Sequence, residues 1–276
     1  MNSVSCGICP HRCNLKEGQT GLCRARSNRG GQIRCDNYGL VTSLALDPIE
    51  KKPLHRFFPG STILSAGSFG CNMHCPFCQN FEISMADINT SAYTSISPEK
   101  LISQAVSLKS KDNIGVAFTY NEPFVGYEYV WDSSVLAHKN DLKTVLVTNG
   151  YVNEEPLLRL LPYIDAMNID LKTFSGEYYR LLGGNLEDVK RTISLSSLAC
   201  HVEVTTLIVP GQNDTDEEMR SLSAWLASVN PDIPLHISRF FPRYKMLDRP
   251  ATNIKTVYHL AGIARDALHF VYEGNC

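Results

Sequence analysis

Six apolar, β-branched runs mark the chain from residue 62 onward, at 62–69, 113–120, 143–149, 166–171, 201–209 and 234–240. Between them the apolar positions fall at helical spacing. Leu101, Ala105 and Leu108 repeat behind Ser97-Pro98-Glu99, which supplies a cap, a proline at the first helical position and an acid near the positive end. Thr215 and Glu218 form a capping box ahead of Met219, Leu222, Leu226 and Val229, which make one apolar face. A last helix is predicted over 252–268, and the stretch HFVYEGN after it reads as a closing strand. Strands alternating with helices give βαβ units and a parallel sheet. Six such units predict an open (β/α)6 partial TIM barrel over 61–276. A doubly wound nucleotide-binding sheet is the competing architecture, but no G-x-G-x-x-G follows the first strand.

Strand parity points at a site. In 166–172, Met167, Ile169 and Leu171 occupy one face and Asn168, Asp170 and Lys172 the other. Val202, Val204, Thr206 and Ile208 likewise oppose Glu203 and Thr205, and Leu235 and Ile237 oppose His236 and Ser238. The apolar faces pack on helices, so the polar faces point into the barrel. A small barrel normally fills its interior with apolar side chains, so three polar inward faces predict a ligand in the lumen, the alternative being a water-filled structural network. Polar residues also gather at strand ends, where parallel barrels place their sites. These are Tyr120-Asn121-Glu122, Thr148-Asn149-Gly150 and Asp170-Leu171-Lys172.

Composition narrows the class. The chain has 276 residues, 43% of them hydrophobic, with a formal net charge of −2. That balance gives no footprint for nucleic acid or an anionic membrane, and no run reaches the about 18 apolar residues of a membrane span. The first residues have no apolar segment of the signal-peptide kind, and ten cysteines in that setting predict a reducing, cytoplasmic compartment and metal binding instead of disulfides.

Residues 1–60 read as a separate Cys-rich segment and connector. Cys6, Cys9, Cys13 and Cys23 stand at C-x2-C-x3-C-x9-C, a knuckle too short to have much core of its own, so that a metal would supply folding free energy. Zinc and an auxiliary Fe–S cluster both accept four thiolates, with zinc the preferred reading. His11 is an alternative ligand, and unliganded thiols are the remaining alternative. Cys35 reads as a packing thiol. The connector LDPIEKKPLHRFFPG, residues 46–60, carries Lys51, Lys52, His55 and Arg56, which either face a negative substrate or form a solvated surface.

The chemistry is concentrated in CNMHCPFC, where Cys71, Cys75 and Cys78 stand at C-x3-C-x2-C directly after the first strand. Three close thiolates can hold three irons of a [4Fe–4S] cluster and leave the fourth for another ligand. The competing reading, a zinc knuckle completed by His74, is awkward because His74 immediately precedes Cys75. A metal hydrolase would need an open zinc site with His ligands, and no H-E-x-x-H is present.

The spacing, with Phe77 before the last cysteine, resembles the radical S-adenosylmethionine (SAM) superfamily. CPHRCNLKEGQTGLCRAR, DPIEKKPLHRFFPG, GCNMHCPFCQN, FTYNEP, NIDLKTFSGEYYR, VEVTTLIVPGQND and PLHISRFFPRYK extend the likeness along nearly the whole chain. They resemble the branch that activates glycyl radical enzymes, such as the pyruvate formate-lyase activating enzymes, and more narrowly the AmmeMemoRadiSam-associated proteins. The resemblance implies a barrel of the superfamily's type, a [4Fe–4S] cluster on Cys71, Cys75 and Cys78, and SAM chelated by the open iron. It places Glu122 where a Gly-Gly-Glu motif binds the SAM ammonium, with Tyr120 and Asn121 in place of the glycines. It places Asp170 and Lys172 near the methionyl group and a monovalent cation, and His236 close to SAM. With strand parity, the candidates for cofactor contact are Phe77, Asn121, Glu122, Asn149, Asp170, Lys172, Thr205 and His236. The likeness also implies that longer relatives continue beyond Cys276 with a Cys-containing tail.

The implied reaction is one-electron reduction of the cluster by a donor such as flavodoxin or ferredoxin, reductive cleavage of SAM to a 5′-deoxyadenosyl radical, and hydrogen abstraction from a protein glycine. Radical modification of a small molecule or peptide is the alternative within the class. A zinc-binding structural or interaction protein is the alternative outside it.

Overall fold

The computed structural model describes residues 3–276. Its centre is one eight-stranded sheet of β1 (Ser43–Pro48), β2 (Thr62–Gly67), β3 (Asn113–Phe118), β4 (Lys143–Thr148), β5 (Ala166–Asp170), β6 (His201–Ile208), β7 (Leu235–Arg239) and β8 (Val271–Gly274). Neighbours in the sheet are neighbours in sequence, and β2 to β8 are all parallel. β1 and β8 end the sheet without pairing to each other, so the barrel is partial and open. The six expected strands are present, and the closing segment adds β8 as a seventh. β1 runs antiparallel to β2 and comes from a stretch assigned to the N-terminal segment, so the sheet begins before residue 60.

The longer crossovers carry α1 (Pro98–Ser107), α2 (Tyr127–Lys139), α3 (Glu154–Leu160), α4 (Leu186–Ser196), α5 (Asp216–Val229) and α6 (Ile254–Arg265). Ser97 caps α1 by accepting from the Lys100 N–H, with Pro98 in the first turn, a contribution of about 1 kcal/mol. Thr215 caps α5 in the same way. The second half of that capping box is not the bond made. Glu218 Oε1 instead accepts from Thr173 Oγ1 at 2.5 Å and the Phe174 N–H at 2.6 Å, which fastens α5 to the turn after β5.

The strand parities appear as read. Met167, Ile169 and Leu171 enter the core shared with the helices, beside Val189, Ile193 and Leu222. The inward positions split into two levels. At the lower level Ile63, Ala117, Val145 and Ala166 pack against Ile49, Leu54 and Phe57 of the connector. The connector therefore plugs the N-terminal end of the barrel. Its cations do not present a face to substrate. Lys52 is buried, with Nζ 2.7 Å from Asp47 and 4.7 Å above the Tyr120 ring. His55 packs edge-on against His236, and the Arg56 guanidinium covers Phe270, while Lys51 extends into solvent. The turn at Lys52-Pro53, the bends over 55–58, and apolar residues spaced without a helical or strand period suit a stopper that follows no regular element.

The Cys-rich segment forms two small hairpins, Val4–Ser5 with Asn14–Leu15 and Arg26–Arg29 with Gln32–Cys35. Arg26 anchors it. Its buried guanidinium makes a bidentate pair with Glu128 at 2.7 and 2.6 Å and donates to the Val125 carbonyl at 3.2 Å. Cys35 is a packing thiol, donating to Asn37 at 3.1 Å, and burial pushes its pKa up to about 12.

Candidate active site

Above the plug, at the C-terminal ends of the strands, lies a cavity of about 270 Å³. The loop between β2 and a short helix, Phe81–Ser84, brings Cys71, Cys75 and Cys78 to its wall with Phe77. Gly70 makes the loop possible. Its φ is +89°, and a Cβ there would lie 2.5 Å from the Cys23 carbonyl oxygen and 2.8 Å from Ala25 Cβ, so a side chain is excluded by both conformation and space. Asn121 secures the approach by accepting from the Ser68 N–H and donating to the Phe69 and Gly70 carbonyls.

The thiol environment suits a thiolate-held group. Cys71 Sγ accepts from the Met73 N–H at 3.4 Å and from Asn149 Nδ2 at 3.6 Å. Without a metal, burial pushes the Cys71 thiol far up, reinforced by Glu122, and holds Cys75 at about 11 even though Lys172 opposes it. Both thiols need a cation to deprotonate them near neutral pH. No set of three or more His, Cys, Asp or Glu among the described residues is arranged to hold a single metal ion. A cubane cluster makes no such demand, since each thiolate takes a different iron. The zinc-knuckle alternative fails on the fourth ligand. His74 is exposed and packs on Gly183, away from the cavity wall.

The strand ends supply the rest of the lining. Glu122, Asn149, Asp170, Lys172 and Thr205 all reach the cavity, as do Asn121 and Phe77. Lys172 Nζ lies 2.9 Å from Asp170 Oδ2. Burial works against the Lys172 charge, but Asp170 beside it outweighs burial and raises the pKa. Glu122 is buried and already engaged. Its oxygens accept from the Phe124 N–H at 3.0 Å, Thr148 Oγ1 at 2.8 Å and the Asn149 N–H at 2.8 Å. Three of its roughly four acceptor positions are filled, so it splices the ends of β3 and β4 and keeps little capacity for an ammonium. Burial lifts its pKa to about 7 against those bonds.

His236 does not line the cavity. It is buried among Glu203, His55 and Tyr272, with Nε2 2.5 Å from Glu203 Oε2. Glu203 also accepts from His201 and from the backbone N–H groups of His55 and Arg56 at 3.0 and 2.7 Å. The lower polar residues thus form a protein-satisfied layer between plug and cavity, joined by Asn168, which donates to the Pro53 carbonyl and accepts from Thr205. Inward parity correctly turned His236 toward the axis but could not assign it to a level.

Met85 and Asn275 also line the cavity without any functional signal in the sequence, while Gln79, Asn80 and Ser238 lie in matched stretches but are not among the candidates. Asn72 is another contributor that spacing could not reveal. Tyr120 takes a φ of +73°, the left-handed region that glycine favours. The Asp47 carboxylate, bonded to its hydroxyl at 2.6 Å, and Asn80 Nδ2, donating to its carbonyl at 2.8 Å, hold it there. An anchored aromatic residue therefore holds a left-handed backbone of the kind glycine favours.

Comparison with known proteins bears on this geometry. The sequence profile of the Radical SAM superfamily matches residues 67–226. An uncharacterized protein of Methanocaldococcus jannaschii is 40% identical over 277 residues, covering 99% of this chain and 82% of that protein. The isethionate sulfite-lyase activating enzyme of Oleidesulfovibrio alaskensis is 26% identical over 144 residues, 50% of this chain and 46% of its own length. This chain thus spans less than half of that enzyme. Among solved structures, a domain of pyruvate-formate lyase-activating enzyme from Bacteroides vulgatus aligns with a TM-score of 0.51 at 16% identity, over 58% of this chain and 99% of that one. Streptococcus suis SuiB bound to S-adenosylmethionine aligns with a TM-score of 0.60 at 12% identity, over 78% of this chain and 52% of that one. These two likenesses concern the fold.

Proposed function

The chain belongs to the radical SAM superfamily, and from that premise we propose that it activates a glycyl radical enzyme by removing hydrogen from a glycine of a partner protein. The observation that carries the chemical part is the cavity itself. It joins three thiols from one loop to the Asp170–Lys172 pair and Asn149 at the strand ends. The residues fit the cofactors the superfamily implies. Cys71, Cys75 and Cys78 would hold a [4Fe–4S] cluster. When bound, that cluster supplies the electron for reductive cleavage of SAM, and the resulting 5′-deoxyadenosyl radical is the hydrogen-abstracting agent.

The protein's own part is positioning and exclusion. Lys172, held by Asp170, offers a fixed cation for the SAM carboxylate or its surroundings. Asn149 and the Met73 N–H stabilise charge on Cys71. Glu122 fixes the ends of β3 and β4, so the cluster loop and the strand-end residues keep one geometry. The plug and the layer above it close the floor against water. The identity of the target is supported by the activating enzymes among the relatives, including the 4-hydroxyphenylacetate decarboxylase activating enzyme of Clostridium scatologenes at 27% identity over 116 residues.

Anaerobically reconstituted protein with SAM and dithionite is expected to release 5′-deoxyadenosine, and Cys75→Ala to release none. For the target, cells of the source organism are grown on glycine deuterated at Cα. Their dialysed extract is then incubated anaerobically with the reconstituted protein, SAM and dithionite. Deuterium in 5′-deoxyadenosine is the expected result. Unlabelled 5′-deoxyadenosine in amounts above the no-extract control would mean that the hydrogen comes from elsewhere.

A further inference from the structure

The N-terminal cysteines lie against the catalytic loop. Cys6, Cys9, Cys13 and Cys23 line one small apolar void of about 10 Å³, together with His11 and Arg26. One feature of this void points to a ligand. Arg26 is only 4% exposed, yet its Nε–H finds no acceptor in the chain, an arrangement that costs stability unless something accepts from it. The thiols do not already converge on one ion-sized point.

The same residues reach the catalytic loop. His11 Nε2 lies 2.8 Å from the Asn72 carbonyl oxygen and donates to it. Asn72 Oδ1 accepts from Asn149 Nδ2 at 2.9 Å, and that nitrogen also contacts Cys71 Sγ at 3.6 Å. Asn72 is fixed by a further bond from Nδ2 to the Tyr151 carbonyl at 2.7 Å. A continuous row of contacts therefore runs from His11, in the wall of the void, through Asn72 and Asn149 to Cys71. Gly70, pressed on the Cys23 carbonyl, gives a second contact between the two cysteine groups.

We propose that Cys6, Cys9, Cys13 and Cys23 hold a thiolate-bound metal centre, zinc or an iron–sulfur cluster, and that Asn72 and Asn149 couple this centre to Cys71. A metal held in the void would fix His11, which lies in its wall and bonds to the Asn72 carbonyl. Asn72 in turn sets the direction of the Asn149 amide toward Cys71, and hydrogen bonds to cluster sulfurs are among the determinants of reduction potential. Asn72 is thus a positioning residue. The coupling rests on the assignment of Cys71 to the cluster, whereas the metal site does not.

The two parts are tested separately. In a chain with Cys71, Cys75 and Cys78 all changed to Ser, zinc, iron and sulfide are counted as purified and after anaerobic reconstitution with ferrous iron and sulfide. About one zinc per chain, or about four irons with matching sulfide, is expected, and adding Cys9→Ser removes it. A folded triple variant that holds neither overturns the site, whatever the triplet does. For the coupling, Asn72→Ala is made with all thiols intact and its fold checked by circular dichroism. The EPR spectrum and midpoint potential of the reduced triplet cluster are expected to shift. Emptying the N-terminal centre with Cys9→Ala should shift them in the parent chain and add nothing in Asn72→Ala. An unchanged spectrum and potential in Asn72→Ala, with the N-terminal metal retained, overturns the coupling.

Discussion

At the residue scale, two buried charges behave oppositely to what burial alone dictates. Burial disfavours the charge of Glu203, yet hydrogen bonds from His201, His236 and the backbone of His55 and Arg56 hold its pKa at about 2, below the ordinary value of 4.5. A carboxylate whose folded pKa is depressed stabilises the fold fully above its unfolded value and loses that contribution as the pH falls through the folded one. The effect here amounts to about 3 kcal/mol. The difference in urea-unfolding free energy between the parent and Glu203→Gln is therefore expected to be largest above about pH 4.5 and to shrink toward pH 2. A difference that stays constant over this range would detach the four bonds from stability. Lys172 is the cavity's paired cation at the end of β5. A charge-assisted bond to a carboxylate is worth about 1.5–3 kcal/mol, so Lys172→Met should weaken SAM binding roughly tenfold or more by calorimetry. Cluster iron should be unaffected, since Lys172 is no thiolate.

At the element scale, the pieces with a period were legible in the sequence and those without one were not. Alternation in 166–172 and 201–208 assigned both faces of β5 and β6, and capping residues placed the starts of α1 and α5. The plug gave no such signal, because Ile49, Leu54 and Phe57 meet the barrel through bends and a short 3-10 turn. Charge misdirected the reading there, since nothing in a sequence tells whether Lys52 finds an Asp47 to be buried with. Spacing marked Cys71, Cys75 and Cys78 as one group, which the structure brings to one cavity wall, whereas Asn72, fixed by contacts 61 to 79 residues away, had no such mark. The plug can be tested as a structural element. Leu54 is fully buried under the lower inward residues, and Leu54→Ala should destabilise the chain by about 2–5 kcal/mol. Because the layer of Glu203 and His236 lies between, the iron content at the triplet should not fall. A loss of iron at temperatures where the variant remains folded would show that the floor shapes the cavity directly.

At the scale of the whole molecule, the Cys-rich segment is part of the barrel assembly. Cys23 and Ala25 share a small apolar cluster with Phe69, Ala86 and Val125, and Arg26 joins the segment to Glu128 on α2. A chain starting at residue 37 exposes that cluster and strands the Glu128 carboxylate. Its melting temperature is expected to fall by about 10 °C or more, and a scan that matches the full chain would show the segment to be an appendage. The closed floor has a kinetic consequence. With plug and polar layer beneath it, the cavity is closed at its floor, and reactants that enter at the strand ends share one doorway. A target large enough to cover that doorway must arrive after SAM, and methionine and 5′-deoxyadenosine cannot depart until it leaves. Turnover would then follow a compulsory order, last in and first out, with the residence time of the partner setting the pace of each cycle.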